Sequence, residues 1–149
     1  MKRRNSRTVL IVAGLALGGA ALAVAVPKEQ VTRPEGTEPY QGDRQELVAY
    51  GEELWNDPSL SGNGKASCAS CHRGNTRMFK KTFLEPYPHE VRMPQRRSKL
   101  DSVTAEEMVQ FCMVVPMKTD VLPWDSKELA ALTAYTVDVV QQAYIKAQK

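Results

Sequence analysis

The sequence predicts an all-α fold. Hydrophobic residues recur at helical spacing in three separate segments, and no segment shows the sustained alternation of apolar and polar residues that indicates a strand. Capping residues and prolines mark the ends of these segments. About a hundred residues follow the polar stretch that ends at residue 44, which is the size of one small domain.

The first predicted helix covers residues 45–55. It ends before Asp57-Pro58, because proline disfavours helical backbone in the residue that precedes it. Its apolar face repeats at i, i+3, i+4, i+7 and i+8 and is formed by Leu47, Tyr50, Gly51, Leu54 and Trp55.

Two more helices are predicted in the second half of the chain. Thr104 and Glu107 form the sequence pattern of a capping box, and the helix that follows them ends at Pro116. This helix places Met108 and Cys112 on one face. The third and longest helix begins at residue 125 or 126 and continues towards residue 146.

Residues 1–25 have the composition of an export signal. Four basic residues precede an apolar run, and Ala23-Val24-Ala25 is typical of a cleavage site. The apolar run has about 18 residues, the lower limit for crossing a bilayer, so an uncleaved membrane anchor is the alternative. In both cases we expect the rest of the chain to be periplasmic, tethered to the inner membrane only if the signal is not cleaved.

Residues 26–44 are rich in proline, glycine and polar residues and are predicted to be a linker before a domain at residues 45–149. The formal net charge is +3, but four basic residues lie in the export signal, so the remainder is close to neutral. Nucleic acid is not an expected partner in the periplasm. Basic residues are concentrated between Arg73 and Lys99. They either steer an acidic redox partner or an anionic substrate, or form an ordinary solvated loop.

The run Cys68-Ala69-Ser70-Cys71-His72 carries the chemistry of the chain. Two cysteines separated by two residues and followed by histidine form the attachment site of c-type haem. Each thiol can add to one vinyl group of the porphyrin, and the adjacent imidazole becomes the proximal iron ligand. The chain has three cysteines, so no second pair completes a zinc site. We therefore predict one covalent haem c, with Cys68 and Cys71 as thioethers and His72 on the iron.

This order of helices and motif resembles the class I cytochrome c fold. The resemblance implies that the first helix crosses the last one and that the haem lies below the crossing. It also implies that Gly51 meets Tyr135, since glycine lets two backbones approach closely.

The distal ligand is left open by the residues themselves. The candidates are Cys112, Met117, Met113, Met93 and His89. Core packing is the usual role of a methionine or cysteine at helical spacing, and a histidine between proline and glutamate is usually a solvated loop residue. An anionic thiolate lowers the reduction potential, whereas a neutral thioether raises it. Met117 precedes the last helix, where a class I cytochrome has its methionine ligand.

Several parts of the chain resemble the C-terminal haem domain of SoxA, the catalytic subunit of the SoxAX cytochromes of thiosulfate oxidation. They are Gly64 to His72, Tyr87-Pro88, Cys112, and Leu122 to Leu129 followed by Ala131 to Tyr135. In that family a cysteine at this place ligates the haem as thiolate or persulfide, which implies Cys112 as the distal ligand. The resemblance also implies a second cytochrome subunit as the partner in a heterodimer.

One departure from the SoxA pattern affects the expected function. The family has an arginine four residues before its ligand cysteine, and this chain has Met108 there. We therefore expect an electron carrier with a redox partner protein rather than a catalyst. The alternatives are a SoxA-like subunit acting in sulfur oxidation at Cys112, and a sensor whose weak distal ligand yields to NO or CO.

Overall fold

Two crossing helices form the centre of the fold. The computed structural model describes residues 25–72 and 78–149. Helix α2 (Arg44–Asn56) packs against helix α6 (Lys127–Tyr135), and both contribute leucines to one buried cluster. Asp43 caps α2 by accepting backbone N–H bonds, and Ser126 caps α6 in the same way. The first predicted helix and the start of the last one are confirmed.

The two helices cross at Gly51. A β-carbon at this position would overlap the carbonyl oxygen of Ala131 and would lie 2.7 Å from Cβ of Tyr135. Only a residue without a side chain permits this distance between the backbones. The predicted contact between Gly51 and Tyr135 is confirmed.

The other helical elements are short and surround this pair. Helix α5 has the predicted capping box and ends just before Pro116. The last predicted helix contains a π-helical turn that the sequence pattern did not indicate, and the Thr136 hydroxyl donates there to the Leu132 carbonyl. The elements are α1 (Lys28–Val31), α3 (Cys68–His72), α4 (Arg92–Ser98), α5 (Ala105–Val114) and α7 (Gln142–Ala147), with 3-10 turns at Pro58–Leu60 and Lys81–Leu84 and the π-helical turn at Thr136–Gln141.

The described residues contain no β-strand, and the all-α class is confirmed. One isolated antiparallel bridge joins His89 to Val103. Helix α4 was not predicted, because its basic residues and Pro94 show no apolar periodicity. Its proline lies in the first turn, where a missing N–H costs nothing.

The segment before α2 lies against the domain. The predicted export signal is outside the described residues except for Ala25. In the predicted linker, Val26 and Val31 are buried in a cluster with Phe111, and Arg33 forms an ion pair with Glu106 at 2.7 Å. Its polar composition had not indicated this packing. Within the described residues, no helix combines the length and the apolar character needed to cross a membrane.

Candidate haem-binding site

A cavity of about 790 Å³ lies between α3, the segment from residue 78 to 97, and α5. This volume is in the range of cofactor sites. Most of the wall is apolar, and it includes Trp55, Phe79, Phe83, Val109 and Leu132. All the residues that the sequence predicted to hold haem line this one cavity: Cys68, Cys71, His72, Cys112 and Met117.

Helix α3 is a single turn formed by the attachment motif itself. The Ser67 N–H donates to the Ser70 hydroxyl at 2.9 Å, and the Ser70 N–H donates back to the Ser67 hydroxyl at 3.2 Å. This reciprocal pair fixes the start of the helix. Because residues three and four apart share a helix face, both thiols and the imidazole face the same cavity.

The His72 ring is held between aromatic side chains. Its centroid lies 4.5 Å from that of Phe79 in a stacked arrangement and 5.6 Å from that of Trp55. Burial lowers the pKa of His72, so the imidazole is held neutral, the form that binds iron. Its Nδ1 is buried and has no hydrogen-bond partner among the described residues.

Cys112 faces the cavity from α5. Burial, with smaller contributions from the nearby Cys68 and Cys71, raises the pKa of its thiol to about 12. All three cysteines are free thiols. A thiolate at Cys112 therefore needs a cation beside it. An iron ion would supply this charge, since a thiol that coordinates a metal ion loses its proton. The assignment of Cys112 as the distal ligand stays a prediction.

The alternative sulfur ligands face the same cavity. Met117 is 5 % exposed and Met113 is 2 % exposed. The Met117 N–H donates to the Cys112 carbonyl at 3.1 Å, and its own carbonyl accepts the Gly62 N–H at 2.9 Å. The loop after α5 thus returns to the helix that carries Cys112. Met93 lines the cavity as well, from α4.

The expectation that His89 is a solvated loop residue is wrong. His89 is 4 % exposed, lines the cavity and stacks on Tyr87 with 4.1 Å between ring centroids. A backbone bridge joins His89 to Val103, and no periodic pattern in the sequence indicates this bridge. The sequence indicated Tyr87 only as part of the SoxA-like pair Tyr87-Pro88. In the structure, burial and the nearby Cys112 raise the pKa of its hydroxyl group.

The residues present fit a covalent haem. Two free thiols and a neutral imidazole stand on one wall, and sulfur side chains from α5 and the loop after it share the cavity. Nδ1 of His72 is buried and has no hydrogen-bond partner among the described residues. A histidine that binds a metal uses one ring nitrogen for the metal and the other for a hydrogen bond. Met108 lines the cavity where the SoxA pattern has arginine, while three arginines reach it from α4.

Comparison with known families gives one match. The model of the family described as SoxA/TsdA, cytochrome c domain, matches residues 50–143. This range contains the attachment motif, the cavity-lining part of α5 and the crossing between α2 and α6. No curated protein and no solved structure gives a significant match.

Proposed function

This chain belongs to the SoxA/TsdA cytochrome c domain family, a class of c-type cytochrome, and we propose that it is a periplasmic monohaem electron carrier. In this proposal His72 is the proximal ligand and Cys112 the distal one. The observation that carries it is that Cys68, Cys71, His72 and Cys112 line one largely apolar cavity. When bound, the haem iron exchanges single electrons between its ferric and ferrous states.

The protein's own contribution is to hold the cofactor away from water and to choose its potential. The aromatic side chains and Leu132 on the wall limit the access of water to the iron, and this environment influences the reduction potential. A thiolate from Cys112 would stabilise the ferric state and give a low potential. A haem of low potential would accept electrons from a donor of still lower potential and pass them to an acceptor of higher potential. Both partners would have to approach the cavity.

The deciding experiment is low-temperature EPR of the ferric holoprotein matured in a periplasm. Wild type is compared with Cys112→Ser and with the matched variant Met117→Leu, whose side chain lines the same cavity. A low-spin thiolate-type signal that is lost in Cys112→Ser and kept in Met117→Leu supports the proposed ligation. A signal unchanged in Cys112→Ser but altered in Met117→Leu transfers the distal position to Met117 and raises the expected potential.

A second function is favoured by the family and by the position of Cys112 on the cavity wall. In a SoxA-like subunit the Cys112 thiol would lose its proton and form a sulfur–sulfur bond with the outer sulfur of thiosulfate, which releases two electrons. One electron would be accepted by this haem and the other by the haem of a partner cytochrome. Thiosulfate-dependent reduction of the haem, together with a partner cytochrome subunit, would support it. A haem that is reduced and reoxidised without turnover of thiosulfate supports the electron carrier, and a spectral shift with NO or CO at low concentration supports the gas sensor.

The location and the partner are part of the same proposal. Export through residues 1–25 is supported by their composition and suits haem attachment, which is completed outside the cytoplasm. The intact mass of the purified holoprotein gives both the number of haems and the cleavage site. A mass with one haem and without residues 1–25 supports a free periplasmic protein, and a mass that retains them supports a membrane tether.

A further inference from the structure

The charge on the cavity wall is one-sided. Within the described residues that line it, no aspartate or glutamate occurs, while all the lysines and arginines come from the segment between residues 80 and 97. They are Lys80, Arg92, Arg96 and Arg97. A cavity with cations on one wall and no compensating anion attracts a ligand that brings negative charge to that wall.

Helix α4 supplies three of these charges. Arg92 and Arg96 are one helical turn apart and therefore share a face, and Arg97 follows directly. Arg92 and Arg96 are exposed, and none of the three forms an ion pair with a described residue. Guanidinium groups bind carboxylates with paired hydrogen bonds, so these side chains are suited to an oxygen anion.

His89 provides an unsatisfied polar group on the wall of the same cavity. The residue is 4 % exposed, and its Nδ1 is buried without a hydrogen-bond partner among the described residues. The backbone bonds to Val103, at 3.2 and 3.0 Å, and the stacking on Tyr87 hold the ring in this position. A buried polar nitrogen without a partner is costly, which points to a ligand atom that completes it.

We propose that His89 and the arginines of α4 form the propionate-binding wall of the haem cavity. A haem carries two carboxylates, and these are the anions that a covalently attached cofactor brings into the site. His89 donates its ring N–H to one carboxylate, and Arg92, Arg96 and Arg97 neutralise the pair. The proposal rests on haem in this cavity, which the proposed function shares, and it holds whether Cys112 or a methionine is the distal ligand, but not if His89 is.

The test is resonance Raman spectroscopy of the propionate bending modes in the holoprotein. His89→Phe removes the nitrogen and keeps an aromatic ring on Tyr87, and Arg96→Gln removes one exposed charge. The matched control is Lys99→Gln, because Lys99 is exposed just beyond α4 and does not line the cavity. The bending modes should shift in both variants and stay unchanged in the control.

The reduction potential gives a second readout. Loss of a cation or donor leaves propionate charge uncompensated near the iron, which favours the ferric state, so the potential should fall in His89→Phe and Arg96→Gln but not in Lys99→Gln. Propionate modes and potential that match wild type in both variants would overturn the proposal. If His89→Phe does not retain haem, Arg92→Gln and Arg96→Gln decide the question, since these side chains are exposed.

Two further results distinguish this proposal from the binding of free oxyanions and from the assignment of the distal ligand. A saturable spectral shift with free sulfate that disappears in Arg96→Gln would show a wall open to free oxyanions, and it would overturn propionate binding. The EPR signature of the distal ligand should be unchanged in all these variants. A failure of Cys112 ligation is therefore visible independently of the propionate modes.

Discussion

The side chain of Gln110 makes both backbone hydrogen bonds of Leu122. Its amide nitrogen donates to the Leu122 carbonyl at 2.7 Å, and its amide oxygen accepts the Leu122 N–H at 2.9 Å. Gln110 lies on α5 and is 0 % exposed. It thereby ties the loop that carries Met117 to the helix that carries Cys112.

Replacing Gln110 by leucine should lower the free energy of unfolding by about 2 kcal/mol, because a buried hydrogen-bond pair is lost and its backbone partners remain. The measurement is denaturant unfolding of the holoprotein followed by haem absorbance. The matched control is Gln45→Leu on the exposed start of α2. Equal losses in the two variants would contradict the role given to Gln110.

Gly51→Ala tests the helix crossing. Alanine gains about 1 kcal/mol over glycine in a helix, but here its methyl group would overlap the Ala131 carbonyl. Overpacking typically costs about 1–3 kcal/mol, so after the gain in helix propensity we expect a net loss of about 1 kcal/mol in thermal or denaturant unfolding. Ala49→Gly on the exposed side of α2 should lose about 1 kcal/mol from propensity alone. A stabilised Gly51→Ala protein would show that the helices separate easily.

Arg33→Ala tests the attachment of the segment before α2. Arg33 pairs with Glu106, donates to the Trp124 carbonyl and places its guanidinium 5.3 Å from the Trp124 ring centroid. We expect faster thermolysin cleavage within residues 26–43, with a stability loss of about 1 kcal/mol, since partly exposed ion pairs and cation–π contacts are weak. Lys28→Ala, an exposed change in the same segment, is the control. Identical cleavage rates in the two variants would assign the attachment to the buried valines alone.

The Arg44–Asp138 ion pair should make a small pH-dependent contribution to stability. Arg44 donates to both carboxylate oxygens, at 2.7 and 2.8 Å, and this bonding lowers the pKa of Asp138. A lowered carboxyl pKa means that the contribution is complete at neutral pH and is lost as the pH falls through that pKa. Because both groups are largely exposed, the coupling should be about 0.2–1 kcal/mol.

A double-mutant cycle of Arg44→Gln and Asp138→Asn measures this coupling. It should be detectable at about pH 7 and should decline as the pH falls through the lowered pKa of Asp138. A coupling that persists in acid would show that packing, rather than charge, joins these two residues.

The local parts of the fold could be predicted from the sequence. The periodicity of α2 and α6 and the capping box before α5 depend on residues within a few positions of one another. Helix α4 and the packing of Val26 and Val31 were missed, because each is stabilised by contacts with distant parts of the chain. The linker prediction was based on composition, and composition carries no information about contacts with distant residues.

The candidate site divides in the same way. Cys68, Cys71 and His72 were predicted because the chemistry of haem attachment requires them at a fixed short spacing. His89 was assigned to solvent, since a bridge to Val103 and stacking on Tyr87 leave no periodic pattern in the sequence. The sequence showed the arginines of α4 only as part of a basic segment, and it did not show that they line the cavity.

The sequence by itself determined that this protein is a helical c-type cytochrome, because the attachment motif and the helix periodicities are local properties. Only the tertiary structure decided which distant residues face one cavity. It brings Cys112, Met117, His89 and the α4 arginines beside the motif. The physical reason is that hydrophobic burial is satisfied by many arrangements of amphipathic helices, and the close approach at Gly51 and the hydrogen bonds of buried groups such as Gln110 select one of them.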